Sequence, residues 1–258
     1  MTRLDRRALF ASGAAAALLA ATGVSAAPKR GGRLRAALSG DLFELAAAST
    51  VYDNLTEIGA DGLVRGELAT GWASEHDARV WRFALREDVT FHDGTAFDAT
   101  RVRLPFDTQV LNRQTLQITL SAPNANLPYL LAHPGYEQRA ENGVGTGLYA
   151  VQKLDAGRHF IGSRVEEHWK SGQAGWFDSV EFVYFSDDAI RAEALRDAMV
   201  DVTDIAELDA YAEPRDYLLL PDSQAVTHIA NRTIAVPMTV GKAWPLDNLR
   251  MAERWWTA

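Results

Sequence analysis

The chain has 258 residues, 47% of them apolar, with seven tryptophans and no cysteine. That content buries one large core or two modest ones and argues against disorder, while the lack of cysteine excludes a disulfide framework, thiol catalysis and an acylated-cysteine anchor. Acidic side chains outnumber basic ones, 34 to 26, for a formal charge of −8. This argues against a nucleic-acid partner, because neutralising phosphates needs a basic face.

The first element is an export signal over 1–26. Arg3, Arg6 and Arg7 form a basic start, "ALFASGAAAALLAAT" is an apolar stretch, and "VSA" supplies small residues for cleavage. Arg6 and Arg7 with Leu9 and Phe10 behind them resemble a twin-arginine signal. No later stretch approaches the roughly 20 apolar residues of a membrane span, so the mature chain, 27–258, is expected outside the cytoplasm without a transmembrane segment.

The run Leu34 to Leu38 after Gly31-Gly32 predicts a first strand. Asp61-Gly62 predicts a hairpin between "NLTEIG" and "LVRGEL", and Trp81, Phe83 and Leu85 alternate with Arg82, Ala84 and Arg86 as in a half-buried strand. In "FHDGTAF", Asp93-Gly94 marks a tight turn, which makes His92 a strand-end residue. From Asp187 to Val202 apolar residues recur at helical spacing, with Asp187 and Asp188 at the positive end of the helix dipole. "PLDNLRMAERWW" suggests a short terminal helix carrying Trp255 and Trp256.

Two blocks are more specific. "VYDNL", "ELATGW" and "WRFALREDVTFHDGTAFDA" come in one order, and "GVGTGLYAVQKL" leads to "HWKSGQAGWFDSVEF" and "ALRDAMVDV". Together they resemble the family 5 extracellular solute-binding proteins, the receptors of dipeptide, oligopeptide and nickel ABC importers. Against the family pattern, Leu148 replaces a proline, His168 a tyrosine and Met199 a glycine.

The resemblance implies an α/β fold: a type II-like lobe of a periplasmic binding protein with a mixed β-sheet, flanking helices and a small β-rich subdomain inserted at roughly 50–140. Members of that family are about twice as long and two-lobed, so the solute-binding domain over 27–258 is expected to be shortened, with the second lobe largely absent. It also implies a periplasmic location, an ABC permease in the inner membrane as partner, and a peptide or small solute as ligand. Ser39, Gly40, Asp41 and Thr146 are the ligand-binding candidates carried over from it. Tyr52 and Trp72 fall at fold positions.

No GxSxG elbow, HExxH or Gly-rich phosphate loop occurs, and the six histidines show no metal-ligand spacing. The expectation is a binding protein with no catalytic residue, metal or cofactor. A non-binding relic acting through protein contacts is the alternative, and a periplasmic hydrolase the weakest reading. The export reading has a direct test: lysine at both Arg6 and Arg7 should keep the protein out of a periplasmic fraction, and undiminished export would remove the twin-arginine route.

Overall fold

The structure, a computed structural model, describes residues 30–59, 63–205, 217–221 and 227–231. The export signal, the Asp61-Gly62 turn and the terminal tryptophan helix lie outside these residues. Among the described residues no helix is long and apolar enough to cross a membrane.

The first strand, β1 (Arg33–Leu38), leads directly into a helix, α1 (Gly40–Val51). Strand β1 is the centre of a seven-stranded mixed sheet. It pairs in parallel with β10 (Ser179–Tyr184) on one side and β11 (Val202–Ile205) on the other. Beyond β10 come β9 (His159–Arg164) and β8 (Tyr149–Asp155), both antiparallel; beyond β11 come β13 (Thr227–Asn231) and β12 (Tyr217–Pro221).

The period-2 geometry of β1 divides its side chains between two layers. Leu34, Ala36 and Leu38 pack with Phe43, Ala46 and Val51 of α1 and with Phe160 and Phe182. Ala37 points the other way, into a cluster with Ala192, Ala194 and Leu195 of α3 (Asp188–Arg196). Helices therefore cover both faces of the sheet around its central strand. Helix α1 carries no strong amphipathic pattern in sequence. Its alanines favour helix, Asp41 suits its positive end, and the Ser49 and Thr50 hydroxyls bond back to the carbonyls of Leu45 (2.8 Å) and Ala46 (2.6 Å).

Helix α3 is shorter than the sequence period predicts. It stops at Arg196 because Ala198 turns left-handed, at φ 55°. Met199 N–H then donates to Ala194 O (2.9 Å) and Ala198 N–H to Leu195 O (3.1 Å), the paired bonds of a Schellman ending. The residue in the glycine-favouring conformation is thus Ala198, one position before the Met199 singled out from sequence. Asp187 caps the other end, accepting from Ala189 N–H at 2.8 Å.

The intervening chain builds a smaller unit. Strands β2 (Thr56–Ile58) and β3 (Val64–Gly66) form the expected antiparallel pair. A four-stranded antiparallel sheet follows, in the order β4 (Ala69–Glu75), β5 (Val80–Leu85), β7 (Thr115–Thr119), β6 (Asp107–Asn112). Trp81, Phe83 and Leu85 enter its core with Leu55, Leu68 and Ile118, and a one-turn helix, α2 (Leu127–Leu130), adds Leu127. The Asp93-Gly94 turn forms as predicted. Asp93 Oδ1 accepts from Thr95 N–H (3.0 Å) and Thr95 Oγ1 (2.6 Å), which with Asn142 holds the carboxyl well below its usual range.

Relieving the left-handed penalty at Ala198, about 1–2 kcal/mol for an L-residue, outweighs the extra unfolded-state entropy of glycine, at most about 1 kcal/mol. Ala198→Gly should therefore raise stability in urea denaturation, by about 0.5–1 kcal/mol. A lowered midpoint would show that the backbone is not strained there.

Candidate ligand-binding site

The four sequence candidates sit at opposite ends of one helix. Ser39, Gly40 and Asp41 start α1 at the carboxyl edge of β1, while Thr146 packs beyond its last residue, Val51. Twelve residues at 1.5 Å rise put these ends about 18 Å apart.

At the carboxyl edge, Gly40 and Asp41 are exposed and Ser39 is half-buried. Ser39 N–H donates to Asp204 Oδ1 at 2.9 Å. Asp204 is itself held by Arg191, a guanidinium only 2% exposed, which donates to the Asp204 carbonyl (3.0 Å) and to Phe185 O and pairs with Asp188. One buried cation thus ties the ends of β10 and β11 to the start of α3. Tyr184 and Phe185, both exposed, continue the edge, and a Cβ added to Gly40 would stand 3.6 Å from the Tyr184 ring. The helix start thus stands exposed beside the Tyr184 ring.

At the other end, Thr146 is 1% exposed and its hydroxyl donates to Asp53 Oδ2 at 3.0 Å. Asp53 belongs to a buried ionic cluster centred on Lys170. The lysine ammonium pairs with Glu67, with Glu57 at 3.1 Å and with Asp53 at 3.6 Å. Glu67 also accepts from Asn54 N–H (2.8 Å), and Arg86, stacked 3.8 Å over the Trp169 ring, donates to the Glu67 carbonyl (2.6 Å). Burial opposes ionisation of Asp53, yet Lys170, His168 and Thr146 together hold its carboxyl below the usual range. Burial wins at Glu67, whose carboxyl is pushed up to about 8.

Two histidines bracket the loop that carries Thr146. His92 N–H donates to Gly145 O (2.9 Å), its Nε2 meets Gly147 O (2.8 Å), and His168 Nε2 meets Thr146 O (2.9 Å). His168 Nδ1 accepts from Lys170 N–H (3.0 Å), so its Nε2 is the donor. Three successive carbonyls are therefore held, and Gly147 N–H in turn satisfies Val51 O (2.8 Å) at the end of α1. Both flanking glycines are required by close approach. A Cβ on Gly145 would fall 2.0 Å from Val51 O, and one on Gly147 2.6 Å from Thr50 O. Burial lowers the pKa of His92.

Reading by motif singled out Asp53, His92 and His168 but did not join them, and it passed over Lys170, Glu57 and Glu67. These residues are scattered from 53 to 170, so no spacing rule reaches them. The close approach also ranks two glycine substitutions. Gly145→Ala should cost about 2–3 kcal/mol, because main chain must move, whereas Gly94→Ala meets open space and bears only its φ of +81°, about 1–2 kcal/mol. Chemical denaturation of both variants checks the order, and equal losses would refute the steric account.

A sequence profile of the bacterial extracellular solute-binding proteins, family 5 (middle region), matches residues 64–110 and 103–250. The nickel-binding periplasmic protein of Escherichia coli K12 is 28% identical over 195 residues, 62% of this chain and 36% of that protein. The glutathione-binding protein GsiB of Salmonella paratyphi A is 26% identical over 188 residues, 60% of this chain and 36% of that one. Among solved structures, the periplasmic binding protein DppA from Helicobacter pylori, in complex with the peptide STSA, superposes with a TM-score of 0.65. Its identity is 18%, over 75% of this chain and 51% of that one, which is a likeness of fold. The match covers about a third of the length of the curated relatives and about half that of the solved structure. With the profile spanning most of the chain and the mixed sheet matching in three dimensions, the chain belongs to the family 5 bacterial extracellular solute-binding proteins.

Proposed function

We propose that this chain is the first lobe of a periplasmic receptor for an ABC importer and takes its solute at the carboxyl edge of β1. The observation that carries this reading is the position of β1. It lies between two parallel neighbours, with α1 on one face and α3 on the other. In open α/β sheets such a point leaves a crevice beyond the strand ends, where ligands bind. Ser39, Gly40 and Asp41 are proposed to contact the solute there, beside Tyr184 and Phe185. The helix start favours an anionic group such as a peptide carboxylate. Thr146, whose hydroxyl is committed to Asp53, is proposed to serve the site by setting the far end of α1.

The relatives' names, nickel-, glutathione- and D,D-dipeptide-binding proteins, support a small polar solute, a peptide or a compact chelate, bound without a covalent step. Export of residues 27–258 after a twin-arginine signal, delivery to an inner-membrane permease and an inserted β-rich subdomain at 50–140 complete the proposal. The match to about half of a two-lobed relative favours one alternative, a family member that acts through protein contacts and has lost its solute.

Closed two-lobed pockets bury 70–90% of a ligand, and one lobe covers a single side. Titration calorimetry of the full chain against a di- to pentapeptide pool should therefore give a Kd on the order of 0.1 mM or weaker. Gly40→Trp, which fills the space beside Tyr184, should abolish that binding while leaving the thermal midpoint unchanged. Submicromolar binding by a monomer, untouched by Gly40→Trp, would place the solute elsewhere.

A further inference from the structure

The four-stranded sheet of the small unit ends at β6 (Asp107–Asn112), an edge strand paired with β7. Every residue of β6 but Thr108 is exposed, including Val110 at 43% and Leu111 at 44%. Among the described residues no backbone group on the outer edge of β6 has a hydrogen-bond partner. An open edge of this kind is a template for another strand.

On the core face of the sheet an apolar row crosses all four strands. Trp72 stands opposite Phe83, Phe83 opposite Leu116, and Leu116 opposite Val110. Phe83 and Leu116 are fully buried, so the row runs from the core to the open edge and stops at a valine that is largely in water. Charge is placed at the two ends of the strand. Asp107 opens it and Arg113 follows it, an exposed guanidinium resting on Asp98 at 3.1 Å, while the five residues between are uncharged. Strand β8, an edge of the large sheet, differs in having Lys153 among its exposed residues, and a lysine on an edge resists pairing. The family profile also breaks at β6: its two matched pieces, 64–110 and 103–250, both claim Asp107 to Val110, so the shared pattern does not run through this strand unbroken.

We propose that β6 is a self-association edge. Two copies of the chain pair β6 to β6, antiparallel about a two-fold axis at Val110, and join their four-stranded sheets into one of eight. Directly opposite residues in an antiparallel pair share a face, so Val110 meets the copy's Val110 and the apolar row continues from Trp72 of one copy to Trp72 of the other. The same register sets Thr108 against Asn112, Gln109 against Leu111, and Asp107 against the copy's Arg113, an opposite-charge pair made twice. Moving the axis one residue either way sets Val110 against Thr108 or Asn112 and separates the charges. The contact is isologous and uses each β6 once, so it closes at two copies.

The dimer is of the weak, transient class. The β6–β7 ladder slips between Val110 and Asn112, which bends the strand just past the axis. Six residues a side also fall well short of the about 20–30 of a standard interface. The contact is independent of the solute reading, since β6 lies in the small unit and Gly40 at the edge of the large sheet.

The test is sedimentation equilibrium of the full chain without solute. From about 5 µM to about 0.5 mM protein it should show a monomer–dimer equilibrium with a Kd on the order of 0.1 mM. In Val110→Lys, which puts two ammoniums face to face on the axis, dimer formation should fall at least about tenfold, while the thermal midpoint holds because Val110 is an exposed edge residue. Register is read by disulfide trapping, which is clean in a chain with no cysteine of its own. Val110→Cys should cross-link under mild oxidation, since opposite Cβ atoms stand about 4.5–5.5 Å apart. Thr108→Cys should not, because its two copies lie about 13 Å apart along the strands. A monomer at every concentration would overturn the proposal, as would a dimer unaffected by Val110→Lys or cross-linking as efficient at Thr108 as at Val110. The wild-type measurement decides whether the dimer exists even if a variant fails to fold.

Discussion

Everything in this lobe leans on the contact between the end of α1 and the Gly145–Gly147 loop. The loop meets the helix so closely that a single methyl group at Gly145 would overlap Val51 O. Such contact between backbones leaves polar groups away from water, and each must find a partner. They do so with Gly147 N–H on Val51 O and with His92 and His168 on the three loop carbonyls. His92 comes from the small unit and His168 from the large one, so the same few bonds orient the two relative to each other.

Behind this contact the protein buries charge, which is costly. Removing ions from water is repaid only where geometry and further hydrogen bonds are good. Here Asp53 gains Thr146 and Lys170, and Glu67 gains Asn54 N–H and Lys170. The return is directional. An apolar joint tolerates sliding, whereas a lysine shared by carboxylates from separate elements is satisfied in few arrangements. Another buried cation, Arg191, works the same way at the opposite end of α1, tying the carboxyl ends of β10 and β11 together. Helix α1 is thereby pinned at both ends, while Gly40 and Asp41 at its start stay exposed.

Much of the fold was legible in local pattern. The alternation of Trp81, Phe83 and Leu85 led to β5, the Asp93-Gly94 pair to its turn, and the run after Gly31-Gly32 to β1, because period and turn chemistry act over a few residues. Helix α1 was less visible: an alanine-rich stretch has helical propensity but little amphipathic contrast. The end of α3 was misplaced because the left-handed residue is an alanine, Ala198, where a glycine would have announced the stop.

What the sequence by itself determined is part of the set of elements, among them β1, β5 and the start of α3, and, through ordered motifs, the family. Both depend on residues near one another in the chain. Only the tertiary structure decided that Ser39 to Asp41 and Thr146 stand at opposite ends of one helix, that His92 and His168 grip the same loop, and that Lys170 gathers acids from positions 53, 57 and 67. Those relations arise when distant segments fold against each other and bury groups that must then be paired. Charge and burial are properties of the assembled site, so no spacing along the chain could have shown them.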